Sequence, residues 1–238
     1  MVRSTSMTLA LISALQVSGR VVERQTACVT GVHMIVARAS TEDPGTGIIG
    51  QVANNVKSQI PDSDIVAVDY PALLSPYVSS QKAGVTAMTK LVQDYAKACP
   101  QTKMVLMGYS QGAHVTADVL CGTSEMGFAA TEPQSADITD KVAAVLLMGD
   151  PSHVNGQPYN QGSSTNDGLF PRRNTAGCDA IASKTVSFCN TGDPFCDGGA
   201  DVQVHLSYIQ SDGEAATNFL LSKAKAGNAA GNATARAI

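Results

Sequence analysis

The stretch MVLMGYSQGAHV, residues 104–115, places a serine between two glycines directly after four apolar residues. The apolar run predicts a buried strand, and the residues after Ser110 predict a helix. Gly108 and Gly112 lack side chains, so the strand and helix backbones can approach closely in a sharp turn. The stretch therefore predicts a strand–turn–helix unit that holds the hydroxyl of Ser110 clear of the sheet edge, as a nucleophile requires.

The rest of the chain repeats this alternation of strand and helix. Nearly continuous apolar runs, typical of a parallel sheet covered on both faces, predict strands at residues 32–37, 64–70, 103–109, 141–150 and 184–189. The intervening patterns predict helices at residues 46–59, 78–98 and 111–120, and a closing helix at residues 207–225. The sequence therefore predicts an α/β fold with a doubly wound parallel sheet. A long loop, residues 151–177, follows a strand, where such folds keep their sites.

Length and charge limit the classes of protein to consider. The chain has 238 residues, enough for one α/β domain, and its net charge of −4 comes with no basic stripe. Nucleic acid is excluded as a partner, because phosphate binding needs a concentrated basic surface.

The first residues resemble an export signal. Arg3 precedes a short apolar run, residues 7–15, that is too short to span a bilayer. We predict a signal peptide and pro-segment at residues 1–24, an enzyme domain at residues 25–225 and a low-complexity, unstructured tail at residues 226–238; an apolar first strand or helix is the alternative for the start. The tail holds a glycosylation sequon at Asn232. No later run is apolar enough to cross a membrane, so we expect a secreted, extracellular protein without a membrane partner.

The cysteine count agrees with export. Six cysteines in an oxidising compartment predict three disulfides, although spacing alone does not choose the pairs. They are Cys28, Cys99, Cys121, Cys178, Cys189 and Cys196. The chain has no Cys-x-x-Cys or His-x-x-x-His spacing, so we predict neither a metal nor a cofactor.

A serine nucleophile needs a histidine to accept its proton, and four are available. His33 lies in a predicted strand, and His114 lies on the same helix as Ser110 and is expected to point away from the site. His153 could line the cleft, and His205 lies in a polar loop before the closing helix. The chain order serine, acid, histidine of α/β-hydrolases favours His205.

The acid is predicted within CNTGDPFCDGG, where Asp193 lies between two cysteines. A disulfide between Cys189 and Cys196 would clamp this loop and fix the carboxylate that orients the imidazole. The alternatives are that Asp193 only begins a turn, and that Asp197 or Asp201 is the acid.

Several motifs together resemble one family. RASTE, YPA, CPQTKMVLMGYSQG, MGDP and FCNTGDPFCDGG…HLSY resemble, in this order, the cutinase and acetylxylan esterase family, carbohydrate esterase family five. The resemblance runs from about Cys28 to the closing helix. It implies an α/β-hydrolase three-layer sandwich with a central parallel sheet and no large lid. It also implies a serine esterase that works through an acyl-enzyme with Ser110, Asp193 and His205.

The resemblance further implies Cys28–Cys99 and Cys189–Cys196 disulfides, which leaves Cys121 and Cys178 for each other. It also implies an oxyanion hole formed by the backbone N–H of Gln111 and by Ser40. The N–H of Gln111 would point outward at a helix start, where the helix dipole favours negative charge. For Ser40 the alternative is a cap of a turn or helix, and Thr41 competes for the role.

The substrate is the least determined feature. The loop DGGADVQV before His205 has two aspartates and only Val202 and Val204 as apolar contacts, which favours short acyl groups. Residues 151–178 and the third cysteine pair resemble acetylxylan esterases. The apolar LLSPYVSS after YPA departs from them and keeps a cutinase as the alternative. A non-catalytic carbohydrate-binding protein is a third hypothesis. The expected partner is a plant cell-wall polysaccharide or polyester, bound by a monomer.

Overall fold

The computed structural model describes the backbone of residues 27–235 and the side chains of residues 27–226. The predicted signal peptide and pro-segment, residues 1–24, lie outside the described residues. Among the described residues, no helix is both long enough and apolar enough to span a membrane.

Six parallel strands form one central sheet with the order β2-β1-β3-β4-β6-β5. Their bounds are β1 Val32–Ala37, β2 Asp64–Ala67, β3 Lys103–Tyr109, β4 Val142–Met148, β5 Asn160–Gln161 and β6 Thr185–Phe188. Because every pair of neighbouring strands runs in parallel, the connections must cross over the faces of the sheet. The predicted α/β fold with a central parallel sheet is confirmed.

Helices cover both faces of the sheet. Their bounds are α1 Gly50–Gln59, α2 Tyr77–Ala98, α3 Gln111–Cys121, α4 Ala136–Thr139, α5 Val202–Leu206, α6 Tyr208–Ser211 and α7 Gly213–Ala235. One core joins α1 and α7 to one face of the sheet, and a second core joins α2 and α3 to the other. Strand β3 serves both cores, because Val105 and Met107 point to one face while Met104 and Leu106 point to the other.

Several elements differ from the predictions. Helix α1 begins at Gly50 rather than at residue 46, strand β4 ends at Met148 rather than at residue 150, and the predicted closing helix is divided into α6 and α7. Strand β2 ends at Ala67 rather than at residue 70, because the chain leaves the sheet where Arg38 donates to the Tyr70 carbonyl. Strand β5 lies inside the long loop and was not predicted, since two residues carry no periodic pattern. Helix α7 continues to Ala235, through most of the segment predicted to be an unstructured tail.

Three disulfides connect the described segments. The pairs are Cys28–Cys99, Cys121–Cys178 and Cys189–Cys196, and no described cysteine is free. These are the pairs that the resemblance implies. The first ties the chain before β1 to the end of α2, the second ties the end of α3 to the long loop, and the third closes the loop after β6.

Candidate active site

Ser110 occupies the turn between β3 and α3 in a strained conformation, with φ 55° and ψ −120°. Its N–H donates to the carbonyl of Met148 at 2.8 Å, at the end of the neighbouring strand β4. A Cβ at Gly108 would lie 2.1 Å from the carbonyl oxygen of Gly112, and one at Gly112 would lie 2.1 Å from that of Ala37. Side chains at these two positions would force the strand and helix apart, so the turn depends on glycine.

His205 lies at the same edge of the sheet, in the short helix α5 rather than in the predicted polar loop. Asp201 begins this helix, and its carboxylate accepts the N–H of Gln203 at 2.9 Å. The imidazole lies directly against Gly149, where a Cβ would be 2.8 Å from Cε1. Gly149 follows Met148, whose carbonyl accepts the N–H of Ser110, so the imidazole lies over the backbone beside the nucleophile.

Asp193 has no exposed surface and contacts His205, with Oδ2 at 2.8 Å from Nδ1. The Tyr208 hydroxyl donates to the same oxygen at 2.9 Å, while the N–H groups of Phe195 and Cys196 donate to Oδ1 at 2.7 and 3.2 Å. Burial alone would raise the pKa of Asp193, but the His205 contact and the backbone donors lower it. The carboxylate is thus held ionised and in one orientation.

The two rival acids have other contacts. Asp197 accepts from the side chains of Ser164 at 2.5 Å and Asn166 at 3.1 Å, and from the N–H of Gly192 at 2.7 Å. Asp201 caps α5, as described above. Of the three candidates, Asp193 is the one that contacts the imidazole.

Further residues hold the imidazole and were not predicted as part of the site. The Tyr109 hydroxyl donates to the His205 carbonyl, and its ring stacks at 5.5 Å from the imidazole. The Phe195 ring lies 4.5 Å away on another side. Tyr208 lies in the motif HLSY and Gly149 in the motif MGDP. Their place in these two motifs is the feature of the sequence that could have indicated a role at the site.

The predicted oxyanion residues lie at the opening of α3. Gln111 is the first residue of this helix, so its N–H has no partner within the helix. Its side chain is held on both sides, because Nε2 donates to the Leu73 carbonyl at 2.9 Å and Oε1 accepts from the Ser80 hydroxyl at 3.0 Å. The hydroxyl oxygen of Ser40 is buried and has no hydrogen-bond partner among residues 27–226.

Thr41, the rival of Ser40, has its N–H engaged. It has a φ of 68° and donates to the Ala72 carbonyl at 2.7 Å. The carboxylate of Glu42 braces this loop by accepting the N–H groups of Ala39 at 2.6 Å and Ile48 at 2.7 Å. Glu42 was not predicted as part of the site, and it lies in the quoted motif RASTE.

The remaining histidines lie apart from this group. His33 is at the amino end of β1, stacks on Tyr95 at 3.6 Å and contacts Asp64 at 2.7 Å. His153, named as a residue that could line the cleft, is buried and borders a cavity of about 20 Å³ together with Asn160. His114 points away from the catalytic edge into a buried charged cluster.

One group in the described part of the chain has the composition of a metal site. Ligand atoms of His114, Asp118 and Glu125 lie within 4.8 Å of one another. Arg172 already pairs with both carboxylates, at 2.6 Å from Asp118 and 3.0 Å from Glu125. The guanidinium therefore occupies the place where these carboxylates would attract a cation.

The surface around the site is more apolar than its sequence suggested. Leu206 follows His205 and is 53% exposed, and Val202 lies one helical turn before it. Near the Gln111 side, Leu73, Leu74 and Val78 are also exposed. The expectation of a rim with only two apolar contacts was drawn from the loop before His205. The apolar segment LLSPYVSS, residues 73–80, was noted as favouring a cutinase, but its place on the other side of the site was not predicted.

Comparisons with known proteins identify the family. The family model described as Cutinase matches residues 28–224. The chain is 34% identical to Cutinase 11 of Verticillium dahliae, covering 94% of this chain and 78% of the relative. It is 33% identical to the acetylxylan esterase of Hypocrea jecorina, covering 93% and 78%. The catalytic core domain of acetyl xylan esterase from Trichoderma reesei superposes with a TM-score of 0.78 and 33% identity, covering 83% of this chain and 100% of that domain. The chain belongs to the cutinase family and is a carboxylic ester hydrolase.

Proposed function

We propose that the protein hydrolyses short-chain carboxylic esters through an acyl-enzyme on Ser110. The observation that carries the proposal is the buried contact between His205 Nδ1 and Asp193 Oδ2, 2.8 Å long, at the edge where the strained turn presents Ser110. His205 Nε2 accepts the proton as Ser110 Oγ attacks the ester carbonyl carbon. The imidazolium then protonates the departing alcohol. Water attacks the acyl-enzyme by the same path and releases the acid.

Asp193 sets the direction of this proton transfer. Its carboxylate accepts a hydrogen bond from the Nδ1–H of His205, which leaves the lone pair of Nε2 free for the serine. The oxygen of the tetrahedral intermediate would be stabilised by the N–H of Gln111 and by Ser40, whose hydroxyl has no partner within the described side chains.

We propose acetylated xylan as the substrate and a secreted, extracellular location. The similarity to acetylxylan esterases supports the substrate, as does the polar loop of residues 197–201 beside His205. Three disulfides support export, because such bonds persist in oxidising compartments. An acetyl group needs little apolar surface, so a shallow site is sufficient.

A second candidate is a polyester with longer acyl chains. The exposed side chains of Leu73, Leu74, Val78, Val202 and Leu206 favour it, since they flank the site on two sides. The similarity to Cutinase 11 also favours it. Each methylene buried against this rim would contribute about 0.8 kcal/mol.

Chain-length selectivity distinguishes the two candidates. We expect p-nitrophenyl acetate to be cleaved better than the butyrate and the palmitate, and acetylxylan to release acetate. The control variant Leu74→Ser removes an exposed side chain from the rim and should leave acetate hydrolysis unchanged. Three results together would replace our assignment with the polyester one. Longer esters would be preferred, Leu74→Ser would lower that preference, and a cutin-like polyester would be degraded while acetylxylan is not.

A further inference from the structure

A second histidine lies on the nucleophile helix α3, outside the catalytic triad. His114 has no exposed surface, and its backbone N–H donates to the carbonyl of Ser110 at 3.1 Å. Its ring lies beside three aromatic rings, with centroids 4.9 Å from Phe128, 5.9 Å from Tyr77 and 6.1 Å from Phe170. It cannot touch substrate, so any role in the reaction must act through other residues.

Two buried carboxylates face this imidazole. His114 Nε2 is 3.6 Å from Asp118 Oδ2 and 3.9 Å from Glu125 Oε2, and both side chains are fully buried. Nδ1 is 3.1 Å from the Tyr77 hydroxyl. Nε2 has no hydrogen-bond partner among the side chains that the structure describes. A protonated imidazole would donate a hydrogen bond from Nδ1–H to the Tyr77 hydroxyl, and its Nε2–H would point towards the two carboxylates.

The balance of buried charges around His114 favours the protonated form of its imidazole. Arg172 is the guanidinium of the cluster and pairs with Asp118 and Glu125. A third buried carboxylate, Asp150, follows β4 and is joined to Arg172 through the Ser152 hydroxyl, which donates to Asp150 at 2.8 Å and accepts from Arg172 at 3.1 Å. Burial raises the pKa of Asp118 to about 6, so the balance applies at neutral pH, where Asp118 is ionised. Three carboxylates against one guanidinium then leave an excess of buried negative charge, which is costly in a low-dielectric interior. A proton on His114 reduces this excess.

The other titratable groups packed against the cluster add no positive charge. Burial first, and then the neighbouring carboxylates, raise the pKa of Tyr77, so it stays neutral. Burial lowers the pKa of His153 beside Asp150. For His114 burial also lowers the pKa, but Asp118, Glu125 and Asp150 outweigh it and raise the pKa above its usual value.

The cluster is connected to the catalytic acid through the long loop. Phe170 packs its ring on His114, and the neighbouring Leu169 donates its N–H to the Phe195 carbonyl at 2.8 Å. Phe195 in turn donates its N–H to Asp193 at 2.7 Å and packs its ring 4.5 Å from His205. Contiguous contacts therefore run from His114 to both members of the catalytic dyad.

We propose that His114, as an imidazolium, is a positioning residue of the esterase: it locks the nucleophile helix α3 to the loop of residues 151–177 and thereby holds the acid loop against His205. The inference rests on the function proposed above. Loss of the proton leaves the carboxylates uncompensated beside Arg172 and loosens the loop that supports Phe195. The consequence is a lower kcat with little change in KM, because substrate contacts are untouched.

The first test measures protonation without using activity. Side-chain ¹⁵N NMR of the wild-type protein, with the His114 signals assigned from their loss in His114→Gln, should show both ring nitrogens protonated at neutral pH. A neutral imidazole would overturn the proposal. A stoichiometric metal in the same preparation would also overturn it, because a cation would then take the place of the proton.

The second test measures kinetics with a matched control. His114→Gln should lower kcat on p-nitrophenyl acetate about ten-fold at neutral pH. The wild-type advantage should shrink as the pH rises through the pKa of His114, since the wild type then loses the same charge. His33→Gln, which alters a buried histidine at the opposite edge of the sheet, should leave kcat unchanged.

An unchanged kcat in His114→Gln, or a wild-type advantage that is constant with pH, would contradict the proposal. If His114→Gln does not fold, the NMR result on the wild type decides. If the wild type has no esterase activity, the proposed function fails, whereas the protonation state of His114 is still measured.

Discussion

Two histidine–aspartate pairs lie at opposite ends of the same sheet. His205 and Asp193 meet at 2.8 Å at the carboxyl ends of the strands, and His33 and Asp64 meet at 2.7 Å at the amino ends. Both contacts use Nδ1, and both imidazoles are buried. By contact distance alone the two pairs are equivalent.

Their surroundings differ. The Asp193 side chain is fully buried and also accepts from Tyr208, Phe195 and Cys196, whereas the Asp64 side chain is 41% exposed. The imidazole of His33 is covered by the stacked Tyr95 ring, whereas that of His205 lies beside the turn that holds Ser110. A histidine–carboxylate contact therefore indicates a catalytic dyad only where the carboxylate is fixed and a nucleophile lies beside the ring.

The largest expected difference comes from neutralising each aspartate. Asp193→Asn should lower kcat about ten-thousand-fold, because the amide favours the wrong imidazole tautomer. Asp64→Asn should leave kcat within about two-fold, since it touches no group of the site. Hydrolysis of p-nitrophenyl acetate by the two variants measures this. Near-wild-type activity in Asp193→Asn would remove Asp193 from the mechanism.

Each pair has a disulfide nearby. Removing the one near Asp193 should mainly lower kcat, whereas removing the one near His33 should mainly lower stability. Replacing both Cys189 and Cys196 by alanine should cost about a hundred-fold in kcat, since the acid loop loses its clamp. That bond spans 7 residues, so its loss should cost only about 2 kcal/mol of stability. Replacing Cys28 and Cys99, which are 71 residues apart, should cost about 4 kcal/mol and leave kcat unchanged. Denaturation curves and kcat values measure both effects. A larger loss of kcat in the Cys28/Cys99 variant than in the Cys189/Cys196 variant would contradict this expectation.

A smaller effect is expected from the tyrosine beside each pair. Tyr208→Phe removes a donor to Asp193 and leaves the N–H of Asn190 without its acceptor. We expect about ten-fold lower kcat and a loss of about 1–3 kcal/mol in unfolding free energy. Tyr95→Phe removes a hydroxyl that accepts the Val29 N–H at 3.4 Å and lies on the ring stacked against His33. It should leave kcat unchanged, and a ten-fold loss there would contradict the distinction between the pairs.

The smallest effect concerns pH and stability. Burial lowers the pKa of His33, so the unfolded chain binds a proton more readily and stability falls as the pH drops below about 6.5. The pKa of Asp193 is lowered as well, so its stabilisation is present above about pH 4 and is lost only as the pH falls towards its folded pKa. Thermal melting should show that stability no longer falls below about pH 6.5 in His33→Gln to the extent that it does in the wild type. In Asp193→Asn the fall in stability below about pH 4 should be smaller than in the wild type. Identical pH profiles for the two variants would contradict this separation.

The elements that position the nucleophile were predictable because their signals are local. The apolar run of β3 and the two glycines beside Ser110 lie within nine residues of one another, and the parallel α/β fold that they predicted is confirmed. The choice of Asp193 and His205 depended on chain order and on family resemblance. Their catalytic roles remain predictions.

Features that depend on distant parts of the chain could not be predicted. Arg172 and Asp118 are 54 residues apart, and nothing in either neighbourhood indicates that they pair. The apolar rim combines Leu73 with Leu206; both apolar segments are visible in the sequence, but nothing in it indicates that they lie at one site. Such contacts arise from the packing of loops, for which the sequence has no periodic signal.

Ser110 is proposed to be a nucleophile that the pair His205–Asp193 activates, whereas the pair His33–Asp64 has no part in its reactivity. A fluorophosphonate probe followed by peptide mapping tests this most directly. We expect one label per chain, on Ser110, at the same rate in the wild type and in Asp64→Asn, and a far slower reaction in Asp193→Asn. An unlabelled wild type, which would favour a non-catalytic carbohydrate-binding protein, or a label on another residue would contradict it.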